Sequence, residues 1–135
     1  YIRVIETCDW IIPQLTPPKA TNAYWTLACA FEGEAKGVCS WKDFYNAVLD
    51  FGGDGFFGGL ANQHHEIVVE EAVYMDYLYN FEDQDIATRM SLEGKSWPVA
   101  ENIQPKLMQF KTGFRKQEDV ERNVFALEKA IEKFV

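Results

Sequence analysis

The sequence predicts a small α/β fold of the α+β type: a mostly antiparallel sheet with helices packed on one face. Three observations carry that expectation. The run Tyr24-Trp25-Thr26-Leu27-Ala28-Cys29-Ala30-Phe31 is rich in aromatic and β-favouring residues and reads as a well-buried strand. Leu107-Met108-Gln109-Phe110 makes a second, shorter strand. Val120, Val124, Leu127, Ile131 and Phe134 step by four, three, four and three, which places one apolar stripe along a closing helix with charges opposite it. The full order of strand, helix, short strand, helical insert, helix, strand and helix suits one sheet with its helices gathered on one face.

Taken along the chain, residues 1–15 are mixed, and Thr16-Pro17-Pro18-Lys19 is a breaker. Residues 1–22 therefore read as an entry segment and 23–135 as the domain. Ser40-Trp41-Lys42-Asp43 has the spacing of a capping box, a hydroxyl followed by an acid three residues on. Phe44 and Val48, with Trp41 and Leu49, then repeat at helical spacing, and the helix stops at Gly52-Gly53, where glycine takes the left-handed C-terminal conformation. Residues 54–58 are a short strand or an extended loop. From Glu66 to Glu82 the periods are mixed and the segment is acidic, a helix or an ordered loop. Ser96-Trp97-Pro98-Val99-Ala100-Glu101 opens a short helix with proline in its first turn, and Pro105 closes it.

Composition narrows the function. Apolar residues at 47% and charged ones at 25% are ordinary for a globular chain of 135 residues, one domain in size. A net charge of −8 with no basic stripe argues against nucleic acid, whose binders carry the opposite balance. No apolar run approaches the ~18 residues of a membrane-spanning helix. Cys8, Cys29 and Cys39 are odd in number and lack CxxC spacing, so they read as free thiols packed as small apolar residues of a cytoplasmic protein. The first residue is Tyr1 rather than Met, which fits a piece of a longer protein.

The densest feature is Gly52-Gly53-Asp54-Gly55-Phe56-Phe57-Gly58-Gly59, with His64-His65-Glu66 close behind. A phosphate cradle needs glycine amides opening onto a helix N-terminus, whereas these glycines follow a helix. Neither GxxxxGK[ST] nor GxGxxG occurs at a strand-to-helix junction. Adjacent histidines on a regular element point in different directions, and HExxH is absent, so no metal ligands are assigned. The remaining reading is a backbone that turns abruptly and approaches another body closely. Asp54, Gly55, Phe56 and Phe57 then stand at the rim of a cleft; the plainer alternative makes the two phenylalanines core residues and the glycines a tight connection.

Taken in order, Asp9-Trp10-Ile11-Ile12-Pro13-Gln14, Tyr24-Trp25-Thr26 and Gly52-Gly53-Asp54-Gly55-Phe56 resemble the C-terminal part of the DegT/DnrJ/EryC1/StrS family of sugar aminotransferases. Trp97-Pro98-Val99-Ala100-Glu101, Leu107–Phe110 and the closing helix continue the likeness, which is weakest from Gln63 to Lys95. The glycine segment looks closest to members acting on nucleotide-linked 4-keto-6-deoxy sugars, such as perosamine synthase. The resemblance implies fold-type I architecture, with a large cofactor domain preceding this small one, and a homodimer. It implies pyridoxal phosphate in the full-length protein, held by the large domain, so that the isolated chain binds none and is inactive. No cofactor-binding or catalytic role passes to Lys42, Lys95 or Lys106. Asp54, Gly55, Phe56 and Phe57 inherit only a place near the substrate mouth. This sequence departs from the family at Gly58-Gly59-Leu60-Ala61, where many members carry a proline- and histidine-containing loop. The alternatives are a related dehydratase, in which histidine replaces the cofactor lysine, and a stand-alone protein-interaction module.

Overall fold

The computed structural model describes residues 1–59 and 96–135. The chain divides into two compact units, residues 1–59 with 105–135, and residues 60–104. The first unit holds a four-stranded sheet built from β1 (Ile11–Pro13), β2 (Thr26–Phe31), β3 (Phe57–Gly58) and β4 (Leu107–Lys111), in the order β1-β2-β4-β3. Every pairing is antiparallel: Ile11 lies opposite Phe31, Leu27 opposite Phe110, Cys29 opposite Met108, and Phe57 opposite Gln109. This is the small α+β sheet that the sequence predicts.

One face of the sheet is the core. Ile11, Leu27, Cys29, Phe31, Met108 and Phe110 are all buried there. Two amphipathic helices bring their apolar residues to the same cluster: α2 (Trp41–Asp50) brings Phe44, Ala47 and Val48, and a long C-terminal helix (Gln117–Glu132) brings Ala126, Leu127, Ala130 and Ile131. Each large side chain removed from water in this way contributes about 1.5–3 kcal/mol. On the opposite face the exposed residues include Ile12 and Phe57, beside Ala28, Ala30, Leu107 and Gln109.

Helix α2 starts as its sequence requires. The Ser40 hydroxyl accepts a hydrogen bond from the Asp43 amide at 3.0 Å and donates to the Asp43 carboxylate at 2.6 Å. A turn of helix, α1 (Ile2–Ile5), and strand β1 lie in the stretch the sequence marked as an entry segment. Trp10 explains why residues 9–14 join the sheet. It is buried, and its ring meets Phe31 and Phe44 edge-on at 5.7 and 5.0 Å. Gln14 extends the pairing: its amide donates to the Ala28 carbonyl, and its side-chain carbonyl accepts from the Ala28 amide, both at 2.9 Å. Pro13 is tolerated because β1 is an edge strand.

Strand β2 begins at Thr26, two residues later than the β-favouring run. Tyr24 has φ 47°, a left-handed conformation that a bulky residue adopts only when its surroundings hold it there. The Asn22 side chain accepts from the Tyr24 amide at 2.9 Å, and the Thr112 hydroxyl is shared between the carbonyls of Tyr24 and Trp25.

In the second unit the described residues form helix α3 (Pro98–Ile103). Pro98 sits in its first turn and the Glu101 carboxylate accepts from the Trp97 amide at 2.8 Å. A 3-10 turn over Gln104–Lys106, containing Pro105, follows it. The helix or ordered loop expected over 66–82, together with His64 and His65, lies outside the described residues. The long C-terminal helix, α4, spans Gln117–Glu132.

Candidate functional site

Each glycine of the 52–55 turn has its own physical reason. Gly52 and Gly53 close α2: the Gly52 amide donates to the Leu49 carbonyl at 2.8 Å and the Gly53 amide to the Val48 carbonyl at 3.0 Å. With φ +86° at Gly52 this is a Schellman cap, the left-handed stop expected from the sequence. Gly53 serves close approach instead. A Cβ there would lie 2.9 Å from the Cβ of Ala126 on α4 and 2.9 Å from Cγ1 of Val48. Gly55 combines both demands, with φ +77° and the edge of the Tyr45 ring 2.9 Å from where a Cβ would stand.

Between these glycines, Asp54 is gripped by α4. Arg122 Nη2 donates to one carboxylate oxygen at 2.9 Å, and Asn123 Nδ2 donates to the other at 3.2 Å. The Asp54 amide donates to Asn123 Oδ1 at 2.8 Å, and Arg122 Nη1 donates to the Gly52 carbonyl at 2.6 Å. The next two side chains part company. Phe56 is buried, with ring centroids 4.9 Å from Trp41, 5.3 Å from Tyr45 and 5.3 Å from Phe110. Phe57, one residue on and therefore on the other face of the sheet, is 64% exposed. The four residues singled out from the sequence thus form one short stretch with different anchors: Asp54 is tied to α4, Phe56 is rooted in the core and Phe57 is presented outward.

The electrostatics follow the contacts. The hydrogen bond from Arg122 holds the Asp54 carboxyl below its ordinary value, and the same contact raises Arg122. Burial pushes the Tyr1 phenol up to about 12, with Asp54 adding to the rise. Because the folded value of Asp54 lies below 3.8, its ionised contacts stabilise the fold above that pH, and the contribution is lost as pH falls through the folded value. The gap in melting temperature between the parent chain and Asp54→Asn is therefore expected to be constant near neutrality and to close below pH 3.8. A gap that persists unchanged into strong acid contradicts this.

Arg122 and Asn123 are partners of Asp54 that the sequence reading missed. Asn123 did leave a trace: it lies three residues after Val120 and four before Leu127, a polar residue on the apolar stripe. All three thiols are free. Burial raises each of them, Cys29 to about 12 and Cys39 to about 11, so none is an activated nucleophile at neutral pH. Among the described residues no group of three His, Cys, Asp or Glu side chains is arranged to hold a metal ion. No helix among them is long and apolar enough to cross a membrane.

No protein-family model, no curated protein and no solved structure matches this chain.

Proposed function

We propose that the chain is the C-terminal domain of a pyridoxal-phosphate-dependent enzyme that transfers an amino group, with glutamate as donor, to a nucleotide-linked keto sugar of the 4-keto-6-deoxy type. One observation supports this reading above others. Four of the six motifs that resemble the sugar aminotransferases, scattered over a hundred residues, lead into or form one strand each of the same sheet. Asp9–Gln14 contains β1, Tyr24–Thr26 enters β2, Gly52–Phe56 enters β3, and Leu107–Phe110 makes most of β4. On this reading the 54–57 wall borders the sugar nucleotide, and the protein is a cytoplasmic homodimer; three free thiols suit a reducing compartment.

Neither Lys42 nor Lys106 stands in a setting that suits the cofactor. An aldimine-forming lysine needs a phosphate cradle and ring partners beside it. Lys106 instead lies 3.4 Å from the Glu32 carboxylate, and Lys42 sits over the Tyr45 ring. The cofactor therefore belongs, on this proposal, to a large domain preceding Tyr1, and no chemical step is assigned to the present residues.

The test has two arms. The 135-residue chain, mixed with pyridoxal phosphate and borohydride, is expected to show no single lysine labelled; one defined labelled lysine contradicts the division of labour. A longer natural protein carrying this chain is expected to aminate a 4-keto-6-deoxy sugar nucleotide at the expense of glutamate. Turnover without consumption of an amino donor indicates the dehydratase instead. The absence of any upstream cofactor domain favours the interaction module.

A further inference from the structure

We infer that Arg122 and Asn123 are positioning residues for the cleft wall: from α4 they fix the 52–55 turn, and thereby where Phe57 stands toward the sugar nucleotide. The inference rests on the function proposed above.

Asn123 is the one buried polar side chain among the described residues, 4% exposed. A buried amide must have its donors and acceptor met, and a core position otherwise favours an apolar residue. Asn123 Nδ2 donates to the Asp119 carbonyl at 2.8 Å as well as to Asp54, and its oxygen accepts the Asp54 amide. Its polar groups are spent on holding the turn, not on stabilising its own helix alone. Arg122 completes the grip from the solvent side, reaching both the Gly52 carbonyl and the Asp54 carboxylate. Each Asp54 oxygen thereby accepts one bond from α4, which anchors this part of the turn to that helix.

Two residues beyond Asp54 the chain is anchored again, by Phe56 in the core. The single residue between the anchors, Gly55, is in the left-handed region with the Tyr45 ring against it. A segment fixed at both ends across one residue has little freedom, so the α4 grip acts together with the buried Phe56 and the pairing of Phe57 with Gln109 to set where Phe57 stands. A turn needed only to connect α2 to β3 would be satisfied by the glycine cap. The buried asparagine on a helix nearly seventy residues away is what that simpler account leaves over.

The test is a reciprocal exchange. Asn123→Asp removes the donor and sets two carboxylates face to face. Adding Asp54→Asn restores a donor on the other side, while the main-chain amide of residue 54 keeps an acceptor. In the 135-residue chain, hydrogen exchange at the residue-54 amide is expected to speed up about 10-fold or more in Asn123→Asp and to recover in the double variant, as expected for directly coupled partners. In the longer protein, the same variant is expected to raise KM for the 4-keto-6-deoxy sugar nucleotide about 10-fold with kcat little changed, and the double variant to restore it. If Asn123→Asp does not fold, Arg122→Met removes the outer half of the grip from a half-exposed position and carries the same measurements. Unchanged exchange overturns the inference. Faster exchange with unchanged KM, in an active enzyme, also overturns it and leaves the functional reading standing. A wild-type protein that turns over no sugar nucleotide overturns the functional reading, and the positioning role falls with it.

Discussion

Phe56→Ala is expected to destabilise the protein by about 3–5 kcal/mol, the range for emptying a buried aromatic site. The ring is only 5% exposed and touches four others, Trp41, Phe44, Tyr45 and Phe110. Edge-on contacts such as those to Trp41 and Tyr45 add to the area term, and a small alanine cannot draw α2 and β4 together to fill the space. For a domain of this size the melting temperature should fall on the order of 10 °C or more. Phe57→Ala is the matched control. Its side chain lies on the other face of β3 and is largely in water, so its stability cost should stay within about 0.5–1 kcal/mol. Thermal melts of the two variants side by side decide the point; equal losses contradict the assignment of one ring to the core and the other to the surface.

The same pair shows how far the sequence could be read. Two adjacent phenylalanines were legible as either rim or core, and the structure divides them, because a strand turns successive side chains to opposite faces. The closing helix and α2 were legible nearly to their ends, since a stripe, a serine cap and a glycine stop are local signals. In β2 the alternation is real but hidden: Ala28 and Ala30 occupy the open face, and small apolar residues there make the run look buried on both sides. Strand β1 was missed because three residues ending in proline carry almost no periodic signal, and it is Trp10, packed against Phe31 and Phe44, that draws the segment into the sheet. The left-handed Tyr24 depends on a hydroxyl 88 residues away, and Asp54 on a guanidinium 68 residues away. No local propensity encodes such partners.

Gly53→Val should be the most damaging glycine replacement in the turn, costing about 2–3 kcal/mol, the upper part of the range for overpacking a filled site. Gly53 does not need a left-handed backbone; its constraint is space. A Cβ would sit 2.9 Å from two side-chain carbons, on α4 and α2, and 3.0 Å from the Val48 carbonyl oxygen. That oxygen is already the acceptor of the Gly53 amide in the cap, so it cannot withdraw without breaking the cap. The alternative is for α4 to move away from α2, which loosens Ala126 and, through it, the grip of Arg122 and Asn123 on Asp54. Gly55→Val differs in kind. It adds backbone strain of about 1 kcal/mol or more from its positive φ. Its steric neighbours, though, are the edge of the half-buried Tyr45 ring and the tip of the exposed Leu49, side-chain atoms rather than a carbonyl already bonded in the cap. The expected pattern is a steep fall in melting temperature for Gly53→Val, against a smaller fall for Gly55→Val. For the latter the larger effect should be faster amide exchange confined to residues 54–57. In the longer protein proposed above, Gly55→Val should then weaken sugar-nucleotide binding while the cofactor's absorbance band stays intact. If Gly55→Val proves the more destabilising of the two, the turn is held chiefly by its own backbone conformation rather than by the contact between α2 and α4.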